Sequence, residues 1–472
     1  MRTRALVRIA VIASLVSAML VPAVASPART IKVPAMLARS AQLTTSTPRE
    51  RLQILPTHIA FSWRGDEGTG VRFRTRSLAG AYSRWQRAPE AHDAERGDRH
   101  FSGVLAVDRP VVVEYEPIQP RWSRMSSVTL DYMNASDGPL RTMTIPAVAN
   151  AAATTPHIVT RAEWGADESW KRTGGGCARK FYDVQQLFVH HTAGSNRDPD
   201  PAATMRSIYW YHTQRQGWCD LGYNFVVARN GTIFEGRWAR KYAPWEVHTS
   251  ENLAGRAVAG AHVAGYNSGS VGVSVMGNYE TSRVPAAART AIVGLLGWEA
   301  DRHDLDPQGS HVYVNPETGA ARALKIIAGH RNAGSTACPG GYLYRALRRI
   351  RQDTAALVGD GRSSTALALS ASPASVQRGQ SVELVGRLTD TTGASLATRT
   401  VTIYQRPRRG AWSVAGQVVT GIDGSFRSSL SPAVTTVVRA VYDGDPQTWG
   451  SQSRNVKIIV TPATASPTAS PS

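Results

Sequence analysis

The stretch that decides the fold of the central part of the chain is Gln186-Leu-Phe-Val-His190-His191-Thr192-Ala-Gly194. Leu187 to His190 are apolar, aromatic or β-branched up to the histidine, and a glycine-containing turn follows, which predicts a fully buried strand. Such a strand delivers an imidazole to the rim of a sheet. Because neighbouring side chains of an extended strand point to opposite faces, only one of His190 and His191 can face a ligand there, and the pattern leaves open which one.

Two further candidate ligands follow about 140 residues later. They are His330 in Ala328-Gly-His330-Arg331 and Cys338 in Thr336-Ala-Cys338-Pro339-Gly340. A lone buried histidine is more often structural, but His190, His330 and Cys338 together make a mixed nitrogen and sulfur set. In catalytic sites Zn²⁺ takes three such ligands and keeps its fourth position for water. Zinc held in this way polarises a carbonyl and activates water, which is the chemistry that amide hydrolysis needs.

The N-terminus reads as an export signal. Arg2, Arg4 and Arg8 precede an apolar run from Ile9 to Leu20, and Ala23-Val-Ala25 fits a cleavage site, so residues 1–25 are predicted to be a signal peptide. The apolar run is short for a membrane span, and no other segment of the sequence is long and apolar enough to be a transmembrane segment. We therefore expect a secreted or cell wall-associated protein.

Charge and cysteine content fit an exported protein. The net charge of +19 suits a polyanionic partner, and anionic cell-wall polymers are the expected one. Nucleic acid is the competing partner, but there is no dense basic cluster with interleaved aromatics, and export removes the usual target. With Cys338 assigned to metal, Cys177 and Cys219 remain as a disulfide candidate, with two free thiols as the alternative.

The 472 residues are too many for one core, and composition shifts predict a multidomain chain. Its predicted parts after the signal are a leader or linker (26–50), a β-rich, β-sandwich-like domain (51–146), a mixed α/β domain (157–358), an immunoglobulin-like β-sandwich (364–460) and a disordered Thr/Pro/Ser tail (461–472). In the first β-rich domain Trp63, Trp85 and Trp122 could stack on sugar rings, although filling a small β core is the more ordinary role.

Within the mixed α/β domain, spacing predicts helices over Pro201–Gln216, Pro285–His303 and Tyr342–Val358. Asn230-Gly231 predicts a tight hairpin between two short strands.

Residues from about 157 to 355 resemble the zinc amidase superfamily of peptidoglycan recognition proteins and type-2 N-acetylmuramoyl-L-alanine amidases. The flanking domains are loosely similar to those of secreted actinobacterial-type members. The matching motifs, in chain order, are Arg161-Ala-Glu-Trp-Gly165, His190-His-Thr-Ala-Gly194, Gly217-Trp-Cys-Asp-Leu-Gly-Tyr-Asn-Phe225, Asn230-Gly-Thr-Ile-Phe-Glu-Gly236, Gly260-Ala-His262, Gly265-Tyr-Asn267, Ser270-Val-Gly-Val-Ser274, Gly277-Asn-Tyr279, Gly329-His-Arg331 and Ala337-Cys-Pro-Gly340.

The resemblance implies roles for individual residues. Zinc ligands fall on His190, the first of the pair, His330 and Cys338. A catalytic tyrosine falls on Tyr223, and Thr336 stands where phage amidases carry a lysine, so its hydroxyl is a second catalytic candidate without a fixed charge.

The resemblance also implies substrate-binding residues and one departure from the family. His262 is expected to face the substrate cleft, with a structural role as the alternative, and Arg237 and Trp238 are expected to contact the stem peptide. Ser274 stands where other amidase branches carry a catalytic glutamate. This leaves the general base open, with Tyr223 and hydroxide at the zinc ion as candidates.

Three functions compete on these grounds. The first is a secreted zinc-dependent N-acetylmuramoyl-L-alanine amidase that hydrolyses the amide between the lactyl group of N-acetylmuramic acid and L-alanine of peptidoglycan. The second is a non-catalytic peptidoglycan-binding recognition module, and the third a purely adhesive surface protein. Non-enzymatic members of the family typically lose the cysteine ligand, so the presence of Cys338 and Tyr223 favours the enzyme.

Overall fold

The computed structural model describes residues 29–43, 48–91, 98–145, 156–242, 246–358, 363, 365–390, 392–407, 413–445 and 447–462. The predicted signal peptide, nearly all of the linker at 146–156 and residues 463–472 of the predicted tail lie outside the described residues. The chain is multidomain and built mostly of strands, with four α-helices in the described part, all between 161 and 358. No helix in these ranges is both long and apolar enough to cross a membrane.

The described residues between 29 and 145 form three sheets, and the two larger ones enclose one hydrophobic core. The strands are β1 (Arg29–Pro34), β2 (Leu37–Leu43), β3 (Arg49–Arg51), β4 (His58–Gly65), β5 (Gly70–Arg76), β6 (Gln86–Arg87), β7 (Arg99–Phe101), β8 (Leu105–Ala106), β9 (Val112–Ile118), β10 (Met125–Asn134) and β11 (Leu140–Ile145). A five-stranded sheet has the order β2-β10-β4-β7 with β8 on β4, a four-stranded sheet has the order β3-β9-β5-β6, and β1 pairs with β11. Alternate residues of β4, such as Ile59 and Phe61, fill the core between the two larger sheets.

The described part of the predicted leader or linker over 26–50 consists largely of strands. Residues of β1 pair with β11, and those of β2 pair with β10. These strands could not be predicted because their partners lie about 100 residues away in the sequence. Backbone hydrogen bonds to such distant partners leave no local pattern in a short, polar stretch.

The tryptophans of this part take different positions. Trp63 is only 2% exposed and fills the core, whereas Trp122 is 87% exposed. Trp85 lies beneath the guanidinium groups of Arg72 and Arg74.

The central part is a sheet with helices on both faces. Its elements are β12 (Ile158–Val159), α1 (Arg161–Trp164), β13 (Phe181–Tyr182), β14 (Gln186–His191), α2 (Pro201–Trp210), β15 (Phe225–Val227), β16 (Ile233–Glu235), β17 (Ala257–Val258), β18 (Ser270–Val275), α3 (Ala286–Arg302), β19 (Ser310–Val314), β20 (Ala321–Lys325), β21 (Ile327–Gly329) and α4 (Gly341–Val358). The six-stranded sheet has the order β12-β16-β15-β18-β14-β21, and β14 runs parallel to both of its neighbours. The predicted hairpin is present, with β15 antiparallel to β16.

Alternation along β14 sorts its side chains between the two faces. Leu187 and Val189 enter the core with α3 and α4, whereas Phe188 lies in a different cluster on the opposite side. His190 shares the face of Phe188 because strand side chains repeat with a period of two. The sheet therefore presents His190 away from α3 and α4.

The helices begin and pack as their sequences dictate. The Asp200 carboxylate accepts a hydrogen bond from the Ala203 N–H, and Pro201 stands in the first turn of α2. The predicted helix over 201–216 ends its α-helical part at Trp210 and continues as a π-helical turn over Tyr211–Arg215. In α4 the buried positions Leu343, Leu347, Ile350, Thr354 and Val358 lie on one face, as its periodicity predicts.

The last part is all strand. The strands are β22 (Thr365–Ser372), β23 (Ser375–Gln377), β24 (Val382–Asp390), β25 (Thr400–Pro407), β26 (Ser413–Val419), β27 (Ser425–Leu430), β28 (Thr436–Asp445), β29 (Thr448–Gln452) and β30 (Val456–Thr461). A three-stranded sheet (β22-β24-β27) and a six-stranded sheet (β23-β30-β28-β25-β26, with β29 on β28) share one core. The immunoglobulin-like assignment of this domain stays a prediction.

Candidate metal centre

The sheet order brings two predicted ligands together. His190 is near the C-terminal end of β14, and His330 follows β21 directly. The two strands are parallel neighbours whose register pairs Val189 with Gly329, so each histidine comes one residue after a paired position. His190 and His330, 140 positions apart in the sequence, are therefore neighbours at one edge of the sheet.

His190, His330 and Cys338 form a group that could hold a metal ion. Their ligand atoms all lie within 4.8 Å of one another, and the three residues are 0%, 1% and 2% exposed. The Sγ of Cys338 is 3.6 Å from Nδ1 of His190. Two imidazole nitrogens and one sulfur are the donor set that zinc prefers, so these residues fit a zinc ion.

His190 is held in the neutral form that binds metals. Burial, followed by the neighbouring His330, His262 and His191, lowers the pKa of His190 well below its ordinary value. Burial, His330 and Arg237 lower the pKa of His262 to about 3. His262 Nδ1 also shares a hydrogen bond of 3.1 Å with His190 Nε2. His262 therefore contacts the first predicted ligand directly.

His191 faces another part of the molecule. Its Nδ1 accepts a hydrogen bond of 3.2 Å from the Tyr279 N–H. The alternative that the sequence pattern left open, between His190 and His191, is thus answered by the alternation of side chains in β14: it is His190 that lies among the other donors.

The segment from His330 to Cys338 is closed by its own backbone. The Arg331 N–H donates to the Cys338 carbonyl at 3.0 Å, and the Cys338 N–H donates to Oγ1 of Thr336 at 3.0 Å. Thr336 therefore fixes the backbone of the cysteine. Because its hydroxyl accepts that bond, its hydrogen still points elsewhere and can be donated.

Tyr223 lies beside the donor group, 1% exposed, with its ring centroid 5.4 Å from that of His190. Sequence reasoning missed its neighbour His212, whose ring is 5.8 Å from Tyr223 and 4.4 Å from Trp218. Burial, with a contribution from Arg237, lowers the pKa of His212 to about 3. Apolar residues in this helix recur every three or four positions, which accounts for a buried His212 as a core residue and gives no sign that it neighbours Tyr223.

Arg237 and Trp238 point in different directions. The Arg237 guanidinium donates to the Leu221 carbonyl at 3.2 Å and is close enough to His212 and His262 to act on both. Trp238 is held from two sides, with Lys171 Nζ 4.0 Å and Arg179 Cζ 4.1 Å from its ring centroid. Arg237 thus lies close to His262, which contacts His190, and Trp238 lies between two basic side chains.

A disulfide joins Cys177 to Cys219, 42 positions apart. It ties the segment before β14 to the segment that carries Tyr223. The bridge therefore restrains one side of the candidate centre.

A second buried group, Glu251, Glu299 and His303, lies apart from this centre. Burial disfavours a charged imidazole there, but hydrogen bonds to Glu251 and Glu299 outweigh it and raise the pKa of His303 to about 9. Arg302 also pairs with Glu251. The group is an ion-pair cluster that links α3 to the segment before β17.

Comparison with known proteins agrees with the site. The family model described as N-acetylmuramoyl-L-alanine amidase (Amidase_2) matches residues 180–341, which contain all three donors. Peptidoglycan-recognition protein SC2 of Drosophila simulans is 31% identical over 193 residues, covering 40% of this chain and 84% of that protein. Peptidoglycan recognition protein 1 of Bos taurus is 32% identical over 197 residues, covering 41% and 83%. The N-acetylmuramoyl-L-alanine amidase of Homo sapiens is 33% identical over 170 residues, covering 34% of this chain and 23% of that protein. The chain therefore belongs to the Amidase_2 family of peptidoglycan recognition proteins and N-acetylmuramoyl-L-alanine amidases.

Proposed function

We propose that the protein is a zinc-dependent N-acetylmuramoyl-L-alanine amidase, which hydrolyses the amide between the lactyl group of N-acetylmuramic acid and L-alanine in peptidoglycan. The observation that carries this proposal is the convergence of His190, His330 and Cys338 within 4.8 Å in a buried position. Zinc bound there supplies a Lewis acid for the amide carbonyl and lowers the pKa of a water molecule.

Residues of the chain have two further roles, which are to set the charge of the metal centre and to donate hydrogen bonds to the substrate carbonyl. Two neutral imidazoles and one thiolate neutralise only one of the two charges of Zn²⁺, which leaves a net positive centre. The Tyr223 hydroxyl, from a ring that contacts His190, donates a hydrogen bond to the carbonyl oxygen as negative charge develops on it. Thr336 holds the backbone of Cys338 and keeps a hydroxyl hydrogen for the same task.

Substrate binding is proposed for the basic side of the centre. His262 contacts His190, Arg237 lies close to His262, and Trp238, the next residue, is flanked by cations. Positive charge suits the carboxylates of a stem peptide. The net charge of +19 supports retention on anionic cell-wall polymers, and the N-terminal sequence supports export. The actinobacterial-type subclass is likewise part of this proposal.

A metal exchange experiment tests the zinc requirement. We expect the purified protein to carry about one zinc ion per chain by elemental analysis, to lose hydrolysis of a muramoyl-peptide when a chelator removes the metal, and to regain it when Zn²⁺ is added back. A metal-free protein that hydrolyses the muramoyl-peptide at the same rate would refute the zinc assignment. A zinc-loaded protein that binds peptidoglycan without turnover would instead support the non-catalytic recognition module.

A further inference from the structure

A cavity of about 780 Å³ lies between the N-terminal sheets and the central domain, beside the metal centre. Its central-domain wall includes His191 and Ala337. Each is the chain neighbour of a proposed ligand, His190 and Cys338. The cavity therefore borders the segments that carry these two ligands, although the His191 side chain itself faces away from His190.

The opposite wall comes from outside the Amidase_2 match. Gln86 and Arg87 of β6, Glu90, and Leu105 and Ala106 of β8 line it. The domain that matches the family model thus supplies only part of the cavity, and these N-terminal residues, together with Pro89, contribute the rest.

Contacts with the central domain hold this wall in place. A side chain at Gly103 would lie 2.5 Å from the Ala193 carbonyl oxygen, so the two backbones touch and only glycine fits there. Nearby, Ser195 Oγ donates to the Ala106 carbonyl at 3.1 Å. These two contacts lie at the edge of the cavity itself.

Buried polar contacts reinforce the interface farther from the cavity. His58 Nε2 and Thr204 Oγ1 share a hydrogen bond of 2.8 Å, and the Tyr211 hydroxyl donates to the Phe61 carbonyl at 3.0 Å. Arg215 pairs with the fully buried Asp131 at 2.6 Å. Because buried polar groups are costly to separate from their partners, the N-terminal wall is a fixed part of the site.

The charged side chains in the lining of the cavity balance one another. Arg87 and Arg197 are offset by Glu90 and Glu280. The carboxamides of Gln86, Asn196 and Asn278 add further hydrogen-bonding groups. Such a surface suits a neutral ligand that is rich in hydroxyl and amide groups, and the volume falls in the range of ordinary ligand pockets.

We propose that this cavity is a saccharide-binding subsite, in which the N-terminal domain holds the N-acetylated glycan strand beside the scissile amide. The proposal rests on the proposed function, because the amide to be cut joins a sugar to a peptide. His262, which contacts His190 Nε2, and the nearby cationic Arg237 suit a carboxylated peptide, whereas the cavity, whose lining carries as many arginines as glutamates, suits a neutral sugar.

Binding of peptide-free glycan tests the subsite without requiring turnover. The probe is an N-acetylated glycan oligosaccharide stripped of its stem peptides, titrated into the full-length protein by calorimetry. We expect Gln86→Ala and Arg87→Ala to weaken its binding about ten-fold, because each removes hydrogen bonds to the ligand. The matched control is Arg84→Ala, which removes an equal charge from an exposed neighbour that does not line the cavity, and it should bind as the wild type does.

Turnover separates the subsite from the proposed function. With polymeric peptidoglycan the two cavity variants should raise KM about ten-fold at unchanged kcat, whereas KM for a muramoyl-peptide with a single sugar changes less than about two-fold. The proposal would be overturned if KM changed equally for both substrates or if Arg87→Ala left glycan binding unaffected. It would also be overturned if the loss of affinity depended on the length of the peptide instead of the length of the glycan. If the wild type hydrolyses neither substrate but its glycan binding still depends on Arg87, the subsite stands and the amidase assignment fails.

Discussion

The Cys338→Ser variant is expected to lose both its zinc and its amide hydrolysis. A serine hydroxyl is not deprotonated at neutral pH and does not replace a thiolate as a zinc ligand, so two of three donors remain. Changing residues that only support a ligand already costs 10- to 100-fold in metal affinity or activity, roughly, so loss of a ligand should exceed about a hundredfold. Elemental analysis and turnover of a muramoyl-peptide measure the two losses.

Ser335→Ala is the control for this variant because it changes an exposed residue of the same segment, three positions away. It should keep both zinc and activity. Cys338→Ser should still bind peptidoglycan in part, since the residues proposed to bind the stem peptide, His262, Arg237 and Trp238, are unchanged. Unchanged turnover in Cys338→Ser would contradict its role as a ligand.

Tyr223→Phe is expected to slow hydrolysis about 10²- to 10³-fold while the zinc content stays the same. Removing one hydrogen-bond donor to a developing oxyanion costs this much in enzymes that use such donors. The ring remains in its buried position against His190, so packing is preserved. The measurement is kcat on the muramoyl-peptide together with zinc per chain.

A second tyrosine provides the matched control. Tyr313 is also fully buried, and its hydroxyl donates to the Ser268 carbonyl, so Tyr313→Phe removes a comparable hydrogen bond. We expect Tyr313→Phe to lower stability without changing kcat. If Tyr223→Phe lost zinc instead of rate, the tyrosine would be a structural residue of the centre.

Much of the candidate centre could be predicted because its residues lie in local motifs. One motif is a buried strand that ends in two histidines, His190 and His191. The other is the short segment that runs from His330 to Cys338-Pro-Gly340. Each can be recognised in about ten residues of sequence. The choice between His190 and His191 could not be made from the pattern. It depends on which face of β14 packs against α3 and α4, which is a property of the folded sheet.

The interdomain features could not be predicted for a related reason. Pairing of β1 with β11, and contact of Gly103 with Ala193, join residues about 90 to 115 positions apart. Such contacts leave no periodicity in either segment, and a short polar stretch such as 29–43 therefore reads as a leader. The position of His212 beside Tyr223 could not be predicted, because helical spacing alone is enough to account for the burial of His212.

The most direct test of the zinc amidase assignment is mass spectrometry of purified peptidoglycan after incubation with the protein, with and without a chelator. We predict release of stem peptides that begin with a free L-alanine amine, from glycan strands that keep the lactyl carboxylate, and no release when the chelator is present. The zinc amidase assignment would be contradicted by cleavage at another bond or by release that the chelator does not affect. It would also be contradicted if the protein stayed bound to peptidoglycan and released nothing.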